Sequence, residues 1–211
     1  MIEVNAEANP VKSGRYKRPF DLAVLVLAHL SLLPLWVLLW VTIPIAIWLG
    51  DRGPVFYRQQ RAGTNGKVIT ILKFRTMIPD AEKAGPAWTT EDDPRVTTVG
   101  RVLRRTALDE LPEILSVWKG DMSLVGPRAL DMGEHRALER EIEGFSDRLK
   151  VRPGLTGMAQ VYDMRDDAED KLAYDIQYLN SMSPLLDVKL LIVSVLNTLS
   201  AKWDRRSGKK R

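Results

Sequence analysis

The densest set of chemically capable side chains is Arg95, Arg101, Arg104, Arg105, Asp109 and Glu110. Guanidinium groups suit forked contacts with phosphate and stay charged at any working pH. Two adjacent carboxylates among so much positive charge are expected to remain ionised. Such a pair can hold Mg²⁺, which binds through one or two carboxylates together with substrate phosphates. A carboxylate can also attack phosphorus as a nucleophile, giving an acyl phosphate. A plainer reading stands beside these: Asp109 caps a helix started by Pro112, and Glu110 favours its dipole.

Further cations recur at turns. Lys73 and Arg75 end a strand-like run in Lys73-Phe74-Arg75-Thr76-Met77, Arg128 follows Gly126-Pro127, and Arg152 precedes Pro153-Gly154. Basic groups on glycine and proline turns meet a ligand where backbone amides are also at hand. Taken singly, each reads equally as a solvated surface charge. Other chemistries are closed off. The chain has no cysteine, so there are no disulfides, thiolate nucleophiles or thiolate zinc sites. His29 and His135 are the only histidines, too few for a histidine metal site or a histidine-dependent triad. His29 lies deep in an apolar run and reads as packing, whereas Glu134, His135 and Glu139 read as one solvated helix face. A net charge of +4 and a pI near 9.3 favour anionic partners: a nucleotide, a phosphorylated ligand or an anionic membrane surface.

These residues need a scaffold. With 211 residues, 45% hydrophobic and 27% charged, the chain is about one domain and is not disordered along its length. Mean hydropathy is −0.15, which excludes a polytopic membrane protein. Yet residues 22–49 contain no Asp, Glu, Lys or Arg. About 20 apolar residues suffice to cross a bilayer as helix, so something here enters the membrane. Pro34 breaks the run early, and the helix before it would be only about 18 Å long, short of a core about 30 Å thick. Lys12, Arg15, Lys17 and Arg18 precede the run, and Arg52, Arg58, Arg61 and Lys67 follow it. That balance sets no orientation, so a kinked spanning helix and one that dips in and returns are both left open.

Beyond Gly50 the pattern becomes that of a soluble domain. Residues 54–61 and 67–74 predict two strands joined through Gly63-Thr64-Asn65-Gly66, a strong hairpin signal. A loop is expected over 79–98, helices near 99–108, 112–119, 131–143 and 171–180, a turn at 120–127 and a loop at Pro153-Gly154. Residues 185–203 read as a second apolar helix, lying flat on a membrane or packed in a core. The ends, 1–14 and 205–211, read as loose tails, the second basic enough to touch anionic lipid.

Six segments in order then carry a family resemblance. They are Lys17-Arg18-Pro19-Phe20-Asp21, Gly53-Pro54-Val55-Phe56-Tyr57-Arg58-Gln59, Lys73-Phe74-Arg75-Thr76-Met77, Leu108-Asp109-Glu110-Leu111-Pro112, Lys119-Gly120-Asp121-Met122-Ser123-Leu124-Val125-Gly126-Pro127-Arg128 and Val151-Arg152-Pro153-Gly154-Leu155-Thr156-Gly157. The chain resembles, over about residues 15–200, the small monotopic polyprenyl-phosphate phosphoglycosyl transferases of the bacterial sugar transferase family. The resemblance implies transfer of a sugar 1-phosphate from a UDP-sugar to polyprenyl (undecaprenyl) phosphate, with release of UMP. It implies Asp109 as the nucleophile that carries a covalent phosphosugar, and Glu110 as its partner in serving Mg²⁺. Lys73, Arg104, Arg128 and Arg152 are implied as phosphate-binding groups, and Arg75 is expected beside them from its place at the strand end. It also implies a re-entrant membrane helix broken near Pro34, with Lys17 and Arg18 at headgroup level beside lipid phosphate.

The expected protein is therefore α+β, mostly helical with a small β-hairpin, a re-entrant membrane helix over 15–50, interfacial amphipathic helices and a catalytic domain over 51–204. It would sit on the cytoplasmic face of a bacterial inner membrane, with UDP-sugar, polyprenyl phosphate and membrane lipids as partners and the first membrane step of a glycoconjugate or exopolysaccharide as its task. The sequence departs from the family at Leu33, where serine often precedes the proline, and at Ala129, Met158 and Tyr162-Asp163. The last of these fall where sugar or uridine contacts would lie, so the sugar is not read, and self-association is left open. Two other classes compete. A membrane-tethered anion-binding module would use the same cations without turnover. A nucleic-acid binder suits the pI, but the arginines follow no recognition-helix or stacking pattern.

Overall fold

The computed structural model describes residues 14–85, 93–163 and 167–199. The tails expected at 1–14 and 205–211, apart from Gly14, lie outside the described residues, as does the end of the last expected helix.

The apolar run forms two helices, α1 (Lys17–Ser31) and α2 (Leu33–Asp51), parted at Leu32 with φ −111° and ψ 21°. Pro34 occupies the first turn of α2, where its missing N–H costs nothing. The break is pinned from the side. His29 stacks on Trp36 with ring centroids 4.5 Å apart, and Trp36 Nε1 donates to the Ala28 carbonyl at 3.2 Å. Among the described residues, α2 is the one helix long and apolar enough to cross a membrane, with mean hydropathy 2.0.

Both ends of this helical hairpin rest on the same soluble body. At the start of α1, Asp21 Oδ1 accepts from Ser123 Oγ and the Leu124 amide, both at 3.1 Å, and Leu25 is buried in the main core. Late in α2, Ile43 and Ile47 are buried against Phe74 and Leu103, and Asp51 pairs with Arg75. Between them Leu27, Leu30, Leu33, Leu35, Val37, Leu38 and Val41 face outward.

The hairpin of β1 (Phe56–Ala62) and β2 (Val68–Phe74) is antiparallel, in register from Phe56 opposite Phe74 to Ala62 opposite Val68. Its turn places Asn65 in the left-handed region at φ 54°, which accounts for the Asn-Gly signal. Helix α3 (Thr98–Arg105), a 3-10 turn (Leu108–Glu113) and α4 (Ile114–Lys119) follow.

Two segments expected as turn and loop are instead strands. Between them β3 (Ser123–Val125) and β4 (Gly154–Thr156) form a second, parallel sheet. The connection runs through α5 (Met132–Glu141) and a 3-10 turn (Phe145–Lys150), since parallel partners need a long crossover. The pairing is close enough that a Cβ on Gly126 or Gly154 would strike the backbone of the other strand.

Helix α5 also corrects an expectation. Glu134 and Glu139 are exposed, but His135 turns inward against Phe145, with Nε2 3.4 Å from Ser146 Oγ, and its burial lowers its pKa. Helices α6 (Met158–Tyr162), α7 (Ala168–Ser181) and α8 (Pro184–Leu199) complete the body. Helix α8 buries Asp187 and Leu190 while Leu185, Val188, Ile192, Val195 and Leu196 face out at helical spacing.

The N-terminus of α1 is locked into this body by a buried ion pair. Lys17 Nζ lies 2.8 Å from Asp187 Oδ2 and also donates to Tyr178 Oη at 3.0 Å and the Val125 carbonyl at 2.7 Å. Tyr16 and Tyr178 both donate to Asp187, at 2.9 and 2.8 Å. Arg18 donates to the Val117 and Trp118 carbonyls at 2.5 and 2.7 Å, closing the last turn of α4. The charged ends of Lys17 and Arg18, expected to meet lipid phosphate, are taken by interior carboxylate and carbonyl groups. Removing one partner of a buried pair strands the other, a loss of about 3–5 kcal/mol. Lys17→Met should accordingly lower the unfolding midpoint sharply in detergent, whereas a headgroup contact would leave unfolding in detergent unchanged.

Candidate active site

The Asp-Glu dyad sits on the 3-10 turn Leu108–Glu113, entered through Ala107 in the left-handed conformation at φ 55°. Asp109 is inside this turn and makes no capping bond, so the helix-cap reading is overturned. Leu108 and Leu111, on either side of the dyad, pack against the cluster of Ile43, Ile47, Phe74 and Leu103. The carboxylates are thus seated at the foot of the apolar hairpin.

In a 3-10 turn, side chains three apart eclipse one another. Glu110 and Glu113 therefore share a face, and Lys73 from the end of β2 lies between them. Its Nζ is 2.7 Å from Glu110 Oε1 and 3.1 Å from Glu113 Oε1. Arg128 Nη2 reaches the same Glu110 oxygen at 3.2 Å. Burial alone would raise the Glu110 pKa, but Arg128 and Lys73 overcome it and hold the carboxyl at about 2. Glu113, more deeply buried and facing Glu110, is pushed up instead.

Asp109 is offset from that face. Burial, then the neighbouring Glu110 charge, push its carboxyl up to about 6, against the pull of Lys73 and Arg104. The expectation of an ionised pair thus holds at neutral pH for both, but by different margins. No side chain among the described residues donates a hydrogen bond to the Asp109 carboxylate. Arg104 is oriented by its Nε donating to Thr76 Oγ1 at 2.9 Å, and its charge faces Asp109 and Asp93. The Asp109 carboxylate and Glu110 Oε2, which accept no side-chain hydrogen bond among the described residues, are oxygen donors of the kind a hard divalent ion takes.

Of the residues expected from sequence, Asp109, Glu110, Lys73, Arg104 and Arg128 are brought together. Arg75 and Arg152 are not. Arg75 is buried at the end of α2, paired with Asp51 and filling the space beside Gly53. Arg152 is exposed ahead of β4 with no ion pair to the dyad. Pro34 lies at the far end of α2, at the hairpin break. Three members were missed. Glu113 shares Lys73, Thr76 aims Arg104, and Arg61 holds the Ala129 carbonyl at 3.0 Å beside Arg128. Arg61, Lys73, Glu113 and Arg128 line one small cleft next to the dyad. The three-residue spacing from Glu110 across Pro112 was the available signal for Glu113.

The chain is similar to known proteins over most of its length. The chain is 39% identical over 185 residues to the UDP-glucose:undecaprenyl-phosphate glucose-1-phosphate transferase of Escherichia coli, covering 85% of this chain and 39% of that protein. It is 37% identical over 194 residues to the exopolysaccharide production protein PSS of Rhizobium leguminosarum, covering 87% of this chain and 95% of that protein. It is also 37% identical over 194 residues to the UDP-N-acetylgalactosamine-undecaprenyl-phosphate N-acetylgalactosaminephosphotransferase of Aeromonas hydrophila, covering 90% of this chain and 45% of that protein. The chain thus spans less than half the length of the E. coli and A. hydrophila proteins. Residues 12–201 match the family model described as bacterial sugar transferase, and the chain belongs to that family.

Proposed function

We propose that this protein transfers a sugar 1-phosphate from a UDP-sugar to polyprenyl phosphate, releasing UMP, through a covalent phosphosugar on Asp109. The observation that carries the proposal is the division of labour in the dyad. Glu110 is engaged by two cations, while the adjacent Asp109 carboxylate is partly buried and receives no side-chain hydrogen bond. The names of the relatives, with a UDP-sugar and undecaprenyl phosphate as substrates, support the same reaction.

An oxygen of Asp109 attacks the β-phosphorus, forming a P–O bond as the bond from that phosphorus to the bridging oxygen breaks. UMP leaves with the electron pair. An oxygen of polyprenyl phosphate then attacks the phosphorus of the acyl phosphate, and the Asp109 carboxylate departs unchanged. This covalent route splits one difficult displacement into two easier ones. Arg104 and Arg128 are placed to stabilise the charge that spreads over the phosphoryl oxygens, the largest single contribution such sites make. A Mg²⁺ ion held by Asp109 and Glu110 would shield the diphosphate of the donor.

The lipid acceptor fits the same geometry. Both ends of the hairpin are attached to the rest of the fold, which supports a re-entrant, monotopic insertion over a spanning one. The outward apolar face of α8 supports a helix lying at the interface. Nucleotide sugar and lipid phosphate would then meet on the cytoplasmic face, as the first membrane step of a glycoconjugate or exopolysaccharide.

Three measurements check this reading. Mixing the protein with a panel of UDP-sugars should yield UMP and an intact-mass increase equal to one phosphosugar. Asp109→Asn should show neither, and normal turnover by that variant removes the nucleophile assignment. Absence of UMP with every UDP-sugar, with liposome binding intact, would leave only an anion-binding module. Arg104→Ala should lower UMP release by about 10²–10³-fold, as for loss of one preorganised donor. Because Asp109 reacts as the anion and its carboxyl titrates at about 6, kcat/KM should rise with pH and level off above that value. An acid limb near pH 4 would mean that Asp109 is not held up by burial.

A further inference from the structure

We infer that Arg148 and Asp175 are positioning residues for this reaction, fixing the backbone of Arg128 and so the place where its guanidinium meets Glu110. The inference rests on the proposed reaction for its activity readout; its geometry does not.

Arg148 lies in the 3-10 turn Phe145–Lys150 and Asp175 in α7, and their side chains are only 3% and 2% exposed. Arg148 uses two edges of its fork. Its Nε donates to Asp175 Oδ2 at 2.7 Å and its Nη2 donates to the Arg128 carbonyl at 2.9 Å. The guanidinium also lies over the Phe145 ring at 5.2 Å. The rest of the Arg128 segment is held in the same way. The Gly154 amide donates to the Pro127 carbonyl at 2.9 Å, Arg61 Nη1 to the Ala129 carbonyl at 3.0 Å, and the Ala62 amide to the Leu130 carbonyl at 2.9 Å. Every carbonyl from 127 to 130 is thus engaged, and Arg128's own is engaged by a guanidinium that Asp175 orients.

Stability alone does not account for this pair. A buried ion pair is commonly no better than an apolar pair of the same volume, and Arg148 Nη1 is buried with no partner at all, a further cost. What an apolar pair lacks is a donor aimed at the Arg128 carbonyl. That aim matters because the Arg128–Glu110 contact, at 3.2 Å, is already at the long end of hydrogen-bond distances. A small shift of the backbone breaks it.

The test is a double-mutant cycle. Arg148→Lys keeps a positive charge for Asp175, but a single ammonium on a different stem does not reproduce both directed bonds. UMP release and affinity for UDP with Mg²⁺ are measured for wild type, Arg148→Lys, Arg128→Ala and the double variant. Arg148→Lys should slow UMP release by about 10–100-fold, the scale of a displacement near 1 Å. In the Arg128→Ala background it should cost nothing further. An equal loss in both backgrounds, or no loss in either, overturns the inference. Should Arg148→Lys not fold, Asp175→Asn, which keeps an oxygen for Nε, enters the same cycle. If wild type releases no UMP from any UDP-sugar, the proposed reaction fails and the cycle is scored on UDP affinity alone. There, loss of the Arg148 effect when Arg128 is absent upholds the positioning role, and additive losses refute it.

Discussion

Lys73 between Glu110 and Glu113 is the contact on which the site depends. It ties the last residues of β2 to the 3-10 turn, and the next residue, Phe74, ties the same strand to α2. A lysine facing two carboxylates balances only part of their charge, and Arg128 supplies more. The result is an uneven site. Glu110 is engaged by two cations through one oxygen and is strongly acidic, while Asp109, one residue away, accepts no side-chain hydrogen bond among the described residues and is made more basic by burial. Nucleophilicity grows with basicity, so in the proposed reaction the asymmetry favours Asp109 for attack and Glu110 for fixed charge.

Charge of this density is ordinarily kept away from apolar helices. Here it is brought to them by two leucines. Leu108 and Leu111 bracket the dyad and pack against the cluster that contains Ile43 and Ile47 of α2. At the opposite end of the hairpin, the Lys17–Asp187 pair and the tyrosines around it bind α1 to α7, α8 and β3. The two attachments account for the polar start of the apolar hairpin. Its cations are structural members of the soluble fold.

The local elements were legible in the sequence wherever the signal was local. Asn65-Gly66 marked the turn of the hairpin, Pro34 lay beside the break between α1 and α2, and Asp131 marked the start of α5. The parallel pairing of Ser123–Val125 with Gly154–Thr156 was not legible, because two three-residue strands joined by a long crossover leave no periodic pattern. His135 was misread because its neighbours Glu134 and Glu139 are exposed, and one inward residue on a charged helix looks like the rest. The arginines divided for the same reason. Arg128 reaches Glu110 and the charge of Arg104 acts on Asp109, while Arg75, two residues beyond Lys73, turns to Asp51 instead. The spacing alone gives no means of telling these apart, since partner choice is decided by elements far away in the chain.

The leucine contacts at the foot of α2 have a mechanical meaning. The turn bearing Asp109 is braced against the very helix whose outer surface is apolar, as well as against β2. Tilt of that helix would press on the turn that bears Asp109 through these leucines. In the proposed reaction, the alignment of Asp109 would then answer to how that helix is packed on its outer side.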